Sequence, residues 1–462
     1  MKASKFPKER GQALVIIAFA AVALFAFAAL AIDGGRVFSD RRHSQNASDT
    51  AVLAAALAKI REDNNWQTVG LTRAAENDYN DADTETEVFV LPCDTSHMPY
   101  TSDNVQVKCK GLPTGADPKQ YIVVHIKSVV HMTFARIIGR YTIINHTDAV
   151  SRATEPEITN WYDGYGIAST HQGCWPNQNS VPFDLGGSST TFVKGAGVLV
   201  SAVCPGDSSV NVSGNPSLST TTGVCAPGAD VPSNDQDNLG NPGLQSTCNV
   251  PPPDYYTLPP DPECKNDGTI DEPQKGSGTW IATPGKFTST FPDVKGGQAK
   301  IILQKGIYCL ENGINLGAGW DITTDWNGNN SHDAAGEGVF FYVSGGDVEF
   351  NGNAFAFLHA ISSTTNKSWE PYLNYLMYIP LSNKAEVHIT GGSGSVFTGT
   401  ILAPSSKVTL QGSTDNLGGN VTLDAQIIAD IVKITGNTDL TIVYNKSNNG
   451  KTLTNPGIQL IE

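Results

Sequence analysis

The chain opens on a polar stretch, MKASKFPKERGQ (residues 1–12), and then runs through twenty uncharged residues from Ala13 to Ile32. Coiled as a helix rising about 1.5 Å per residue, those twenty span about 30 Å, the hydrocarbon thickness of a bilayer. The run therefore predicts a transmembrane helix over 13–32. Lys2, Lys5, Lys8 and Arg10 stand before it against a single Glu9, a bias that keeps residues 1–12 cytoplasmic. Arg36, Arg41 and Arg42 on the far flank make the bias modest. Everything beyond the span is then extracytoplasmic. Ala47, Ala51, Val52, Ala54, Ala55 and Leu57 form a stripe of small residues at helical spacing, which predicts a juxtamembrane helix over 33–62. Small residues permit close approach, either to another helix or to the chain's own outer domain.

Further along, the period changes to two. EVFVL (Glu87–Leu91), VQVKCK (Val105–Lys110), YIVVHIKSVV (Tyr121–Val130) and YTIINHTDAVSRA (Tyr141–Ala153) alternate β-branched and polar residues, which predicts strands. Between the last two lies HMTFARIIG, His131–Gly139. The expected organisation is a membrane-proximal α/β domain over 63–153, a linker over 154–180 and a larger β domain over 181–462.

In that last part a short strand closed by a glycine-containing turn recurs. It reads VNVSGN at Val210–Asn215, VEFNGN at Val348–Asn353, VHITGG at Val387–Gly392, VTLQGS at Val408–Ser413 and VKITGN at Val432–Asn437. The last three begin 21 and 24 residues apart, with VFTGTILA (Val396–Ala403) and LDAQIIAD (Leu423–Asp430) between them. A unit of that size cannot bury its apolar face alone, but stacked coil on coil it can. The expected fold class is thus an N-terminal transmembrane α-helix followed by a mostly β ectodomain, with a right-handed parallel β-helix (solenoid) in the C-terminal part. A β-sandwich is the alternative. In the stacked arrangement Ile389, Leu410 and Ile434 form one inward ladder, while His388, Thr409 and Lys433 face solvent because side chains alternate along a strand. Residues 216–292, with PPPDYYTLPPDPEC from Pro251 to Cys264, read as an extended Pro- and Cys-rich insertion rather than as a rung.

Composition sharpens this picture. The 46 glycines, 26 prolines and a charged fraction of 16% suit many tight turns between short strands. The net charge is −15 and no arginine follows Arg152, so the clustered cations that a nucleic-acid reader needs are missing and nucleic acid is excluded as a partner. Cys93, Cys109, Cys174, Cys204, Cys225, Cys248, Cys264 and Cys309 all follow the apolar run. An even number on one side of a span, with no CxxC spacing for zinc, points to disulfides in an oxidising compartment. Only Cys93–Cys109 is local enough to pair from sequence. Free thiols in a host without a disulfide system are the alternative.

Arg10 to Ala58 carry several elements in order: the R-G-Q-A-L-V opening, the apolar span, A-I-D-G-G-R at Ala31–Arg36, and R-R-x-x-Q-N-A-x-D-x-A-x-L-A-A-A at Arg41–Ala56. That combination resembles the N-terminal module of TadE/TadG-like proteins of tight-adherence (Flp) pilus assembly. The strand–FARIIG–strand stretch resembles the membrane-proximal region of TadG-like members. The resemblance implies a role in pilus assembly or surface adhesion. Prepilin-like members of the family carry Glu five residues after a cleavage-site glycine, and here that position is Ile16. An uncut anchor of the larger TadG type is therefore expected, with prepilin-type cleavage after Gly11 as one alternative. Signal-peptidase cleavage at Ala29-Leu30-Ala31 is the other.

Catalytic signatures are lacking: there is no GxSxG, HExxH or P-loop. Asp347, Glu349, Glu386, Asp424 and Asp430 stand singly within ordinary strands, whereas a glycosidase needs two carboxylates about 5–9.5 Å apart. Isolated lysines such as Lys407 and Lys433 are the only bases left to a lyase in the arginine-free region. Asp325, Asn327, Asn329 and Ser331 alternate oxygen side chains as the start of a calcium loop does. At the twelfth position, however, stands Gly336, with Glu337 one residue late. His125 and His131 lie in or beside strands and read as structural. The expectation is no enzyme, no catalytic residue and no cofactor, but a membrane-anchored structural or interaction protein. Its partners would be the cell membrane and pilus-assembly proteins or surface glycans. A surface-anchored β-helix enzyme acting on polysaccharide is the alternative.

Overall fold

A computed structural model of the chain describes residues 12–113, 116–174, 181–188, 190–204, 209–229, 231, 233–251, 255–294, 299–324, 337–351, 354–390, 394–412, 421–436 and 439–461. A long apolar helix is followed by a mostly β region, whose strands close no barrel among the described residues. The chain divides into two units, residues 1–157 with 455–462, and residues 158–454.

The first unit is built on α1, one unbroken helix from Gln12 to Ile60. Its sequence is rich in alanine and free of proline, so nothing interrupts the hydrogen-bond ladder between the apolar half and the alanine stripe. From Leu14 it holds a stretch long and apolar enough to cross a membrane. A short helix α2 (Trp66–Ala75) folds back against it. There Gly70 is required by close approach: an added Cβ would come within 2.9 Å of a Val90 methyl and 3.1 Å of the Ala55 methyl.

Beneath α1 lies an antiparallel sheet of β1 (Thr86–Pro92), β2 (Tyr121–His131), β3 (Thr142–Thr154) and the C-terminal strand Gly457–Ile461, in that order. Alternation sends Val88, Val90, Ile122, Val124, Ile126, Ala149 and Ala153 to one face, against Ala47, Ala51, Val52, Ala55 and Ala56 of the helix. The alanine stripe thus seats on the chain's own sheet. On the opposite face Val107, Tyr121, Val123 and Val150 gather around the Cys93–Cys109 disulfide. Gly457–Ile461 corrects one expected boundary. This segment leaves the large β domain and pairs with β3, since an edge strand's free N–H and C=O groups accept any extended segment the chain can return to them.

Most strands of the second unit form parallel ladders, each pairing with strands of the neighbouring coils, while Ile270–Asp271 pairs antiparallel with Thr279–Ala282 and Lys451–Leu453 with Ile158–Asn160. One ladder runs Gly285–Phe287, Gly306–Leu310, Val339–Val343, Tyr375–Tyr378, the middle of Val396–Gly412, the middle of Val421–Gly436, Tyr165–Ser169, Gly197–Val200 and Val224–Cys225. A second joins Ile314–Leu316, Val348–Phe350, Glu386–Ile389, the ends of the two long strands, Phe183–Gly187 and Val210–Gly214. A third runs from Thr279–Ala282 through Lys300–Leu303, Asp321–Thr323, Phe355–His359 and the starts of the two long strands to Leu440–Val443, Thr190–Lys194 and Ser217–Thr220.

Ile389, Leu410 and Ile434 stand in register and are buried, continued by Leu185. Of their neighbours, His388 is partly exposed and Lys433 reaches Asp184 at 2.7 Å, but Thr409 is 7% exposed. It sits between His388 and Lys433 in register, flanked by side chains longer than its own, and so does not face solvent freely.

Two further expectations change. The stretch 154–180 contains Ile158–Asn160 and Tyr165–Ser169, the latter inside a ladder. The stretch 216–292 supplies Ser217–Thr220, Val224–Cys225, Leu244–Gln245, Thr279–Ala282 and Gly285–Phe287, all ladder strands. Stacking order is not chain order: Val421–Gly436 pairs directly with Tyr165–Ser169 and Phe183–Gly187. Strands of only two to four residues bracketed by proline and glycine read as loop until a neighbouring coil supplies their hydrogen-bond partners.

Candidate functional site

α1 leaves its apolar stretch at Asp33, and there the helix is tied to the β2–β3 turn. The Asp33 carboxylate accepts the backbone N–H groups of Thr133, Phe134 and Ala135 at 2.8, 2.9 and 2.6 Å. These are the free donors at the start of the short helical turn Ala135–Ile138, so the carboxylate satisfies groups that the turn itself cannot. Arg36 donates to the Thr133 hydroxyl at 2.6 Å. Gly139 closes the turn with a φ of 82°, a conformation that glycine adopts without strain. Burial pushes the Asp33 carboxyl up, but the three N–H bonds and Arg36 outweigh that and hold it below the usual carboxylate range. The A-I-D-G-G-R and FARIIG segments thus form one joint.

Seven residues on, two helical turns along the same face, Asp40 makes the second tie. It accepts Ser128 Oγ at 2.6 Å, Asn145 Nδ2 at 2.7 Å and the Tyr79 hydroxyl at 3.1 Å. Burial first, and then the nearby Asp40 charge, push the Tyr79 hydroxyl up, keeping it a donor. Gln45 donates to the Asp148 carbonyl at 3.0 Å. Asp148 opens a polar chain over the sheet: its carboxylate meets His125 Nδ1 at 2.6 Å and Lys110 at 2.7 Å. His125 Nε2 lies 3.2 Å from His146 Nδ1, and His146 Nε2 is 2.9 Å from Asp103. Burial raises the Asp148 carboxyl, yet the bonds from His125 and Lys110 bring it below the ordinary value. His125 is a buried structural histidine with both nitrogens engaged, and His131 bonds Glu85 at 2.6 Å.

In the second unit the outward positions of one ladder form an apolar column: Cys309, Tyr342, Tyr378, Leu402, Ile428, Ala168, Leu199 and Cys225, in register throughout. The Pro-rich stretch packs on it. Cys248 is bonded to Cys225 at one end and Cys264 to Cys309 at the other. Eight strands about 4.8 Å apart cover about 34 Å, well within the reach of the chain from Cys248 to Cys264 at about 3.1 Å per residue. Midway, the Tyr256 ring meets those of Trp161 and Tyr162 with centroids 5.0 and 4.9 Å apart, and its hydroxyl accepts the Tyr162 N–H at 3.1 Å. Cys174 is joined to Cys204. This stretch is a strap across coils, and its only signal in the sequence is a proline run between two cysteines.

The other singled-out residues do not converge. Gly11, Asp325, Asn327, Asn329 and Ser331 lie outside the described residues. Asp347 accepts the Glu386 N–H at 2.8 Å, Glu386 pairs with His388, and Asp430 pairs with His171 at 2.9 Å. Asp424 accepts from Asn448, and burial pushes its carboxyl up. Glu349 and Glu386 belong to the second ladder, with Asp347 directly before its strand Val348–Phe350, and Asp424 lies on the third. Among the described residues no group of three His, Cys, Asp or Glu is placed to hold a metal.

Compared with known proteins, the Flp pilus-assembly TadE/G-like family matches residues 11–58, the stretch that supplies Asp33, Asp40 and the alanine stripe. No curated protein and no solved structure matches the chain.

Proposed function

We propose that this chain, which carries a TadE/G-like module at residues 11–58, is a single-pass membrane-anchored structural or interaction protein of Tad-type pilus assembly or surface adhesion. The observation that carries the reading is the matched module, folded as one helix with its first half bare and its second half locked to a sheet by Asp33, Asp40 and the alanine stripe. A bare apolar half-helix needs a lipid environment to cover it. Residues 13–32 span the membrane, residues 1–12 stay cytoplasmic by their positive charge, and the remainder lies outside, uncut. Four disulfides beyond the span support an oxidising exterior.

The second unit is a right-handed parallel β-helix. Three in-register parallel ladders with continuous inward columns support it over a sandwich, whose sheets would pair antiparallel, and the hand follows the usual sense of parallel crossovers. Such a stack supplies a rigid spacer or binding surface. Asp347, Glu386, Asp424 and Asp430 are each engaged by a backbone N–H, a histidine or an amide, which lends no support to polysaccharide turnover, and the reading takes the chain as no enzyme. Protease added to spheroplasts should digest everything beyond Asp33 while the membrane retains an intact Met1. A mature terminus at Gln12 or Ile32 would replace the uncut anchor by a processed one. The chain should co-purify from detergent-solubilised membranes with pilus-machinery membrane proteins, and hydrolysis of acidic glycans by the purified protein would move the enzyme reading ahead.

A further inference from the structure

Among the described residues, the turn Phe134–Gly139 carries the most exposed apolar side chains outside the span: Ile137 is 85% and Ile138 80% exposed, with Tyr141 beside them. Asp33 holds this turn level with the last apolar residues of the helix. Phe25, Ala29 and Leu30 of α1 line one continuous apolar groove with Phe134, Ile137 and Ile138. Arg136 and Arg140 flank the isoleucines, and no acidic residue occurs from Met132 to Asn145, in a chain whose net charge is −15.

We propose that this turn is a second membrane contact, inserting Ile137 and Ile138 beside the helix into the outer edge of the same bilayer, with Arg136 and Arg140 among anionic headgroups. The inference rests on the reading of residues 13–32 as the span. Depth follows from the helix: a carboxylate avoids hydrocarbon, so Asp33 sits at headgroup level and the turn bonded to it cannot stand away from the surface. Apolar residues between arginines, with a tyrosine at the margin, match the chemistry of that layer. Two contacts would fix the tilt of the first unit on the membrane, which a lone helix leaves free.

All eight cysteines are paired, so one introduced thiol labels uniquely. The full chain is reconstituted in phosphatidylethanolamine–phosphatidylglycerol vesicles with an environment-sensitive fluorophore on Ile138→Cys, Phe25→Cys or Glu62→Cys. Quencher is placed shallow or deep on the acyl chains, or dissolved as iodide. The Ile138 label should lose intensity to the shallow lipid quencher and be shielded from iodide. The Phe25 label should respond to the deep quencher, and the Glu62 label to iodide alone. An Ile138 label quenched by iodide like Glu62, while Phe25 responds to lipid, overturns the proposal. Shielding of Ile138 from lipid and iodide alike also overturns it, in favour of a protein partner or a second copy. Loss of lipid quenching at Phe25 would instead sink the anchor reading itself.

Discussion

Asp33 is the first charge after the uncharged stretch of α1, and three backbone N–H groups converge on it. Asp33→Ala would leave those donors without their acceptor. Hydrogen exchange should quicken at Thr133, Phe134 and Ala135 but not at Val123 and Val124 inside β2. Asp148 acts through its charge as well. Its folded pKa is depressed, so the stability it adds is fully present above the unfolded carboxylate value and is lost as pH falls through the lower, folded one. Melting of the wild type should decline below about pH 4. Asp148→Asn should melt lower at neutral pH and decline less with acid, and parallel curves for the two proteins would refute this assignment. Leu410 works by volume instead. Leu410→Ala should cost about 2–5 kcal/mol in denaturant unfolding, whereas His388→Ala, whose partly exposed ring pairs with Glu386, should cost under about 1 kcal/mol.

Among the elements, the strap acts across many coils, because its two ends are bridged to Cys225 and Cys309. Without it the column from Cys309 to Cys225 would present tyrosine, leucine and isoleucine side chains to water. The Cys264–Cys309 bridge closes a separation of 45 residues, which loop entropy values at up to about 4 kcal/mol. Cys264→Ser with Cys309→Ser should lower the guanidinium midpoint and open the segment around Tyr255 to protease. Non-reduced peptide mapping should recover Cys93–Cys109, Cys174–Cys204, Cys225–Cys248 and Cys264–Cys309. A different connectivity would remove the strap, because its two ends would no longer be pinned to one column.

At the scale of the whole molecule, the second unit is an insertion between β3 and the strand Gly457–Ile461, which belongs to the first. The first unit therefore closes only after the chain has passed through the second. Truncation after Thr454 would strip β3 of its second partner and uncover an edge beside Val150 and Ala153, a template for unwanted pairing. The truncated protein should aggregate and show fast exchange at Val150 and Arg152, whose N–H groups face the missing strand, while the ladder strands around Leu410 keep their protection. Unchanged exchange in β3 would show that the C-terminal strand contributes little.

What could be read along the chain was whatever depends on local periodicity. The twenty-residue apolar run, the alanine stripe, the alternation of β1 to β3 and the inward column of Ile389, Leu410 and Ile434 each follow from the spacing of side chains on one element. Tertiary structure decided what depends on contacts between distant residues. The joint between Asp33 and the turn a hundred residues later, the strap over the outward column and the return of Gly457–Ile461 to β3 leave no periodic trace. The stacking of Val421–Gly436 on Tyr165–Ser169 belongs with them, since a parallel ladder fixes which strands are neighbours by hydrogen-bond register, not by order in the chain. Thr409 shows the same limit at one residue: alternation assigns it the outward face, and only its neighbours in adjacent coils determine that this face is covered.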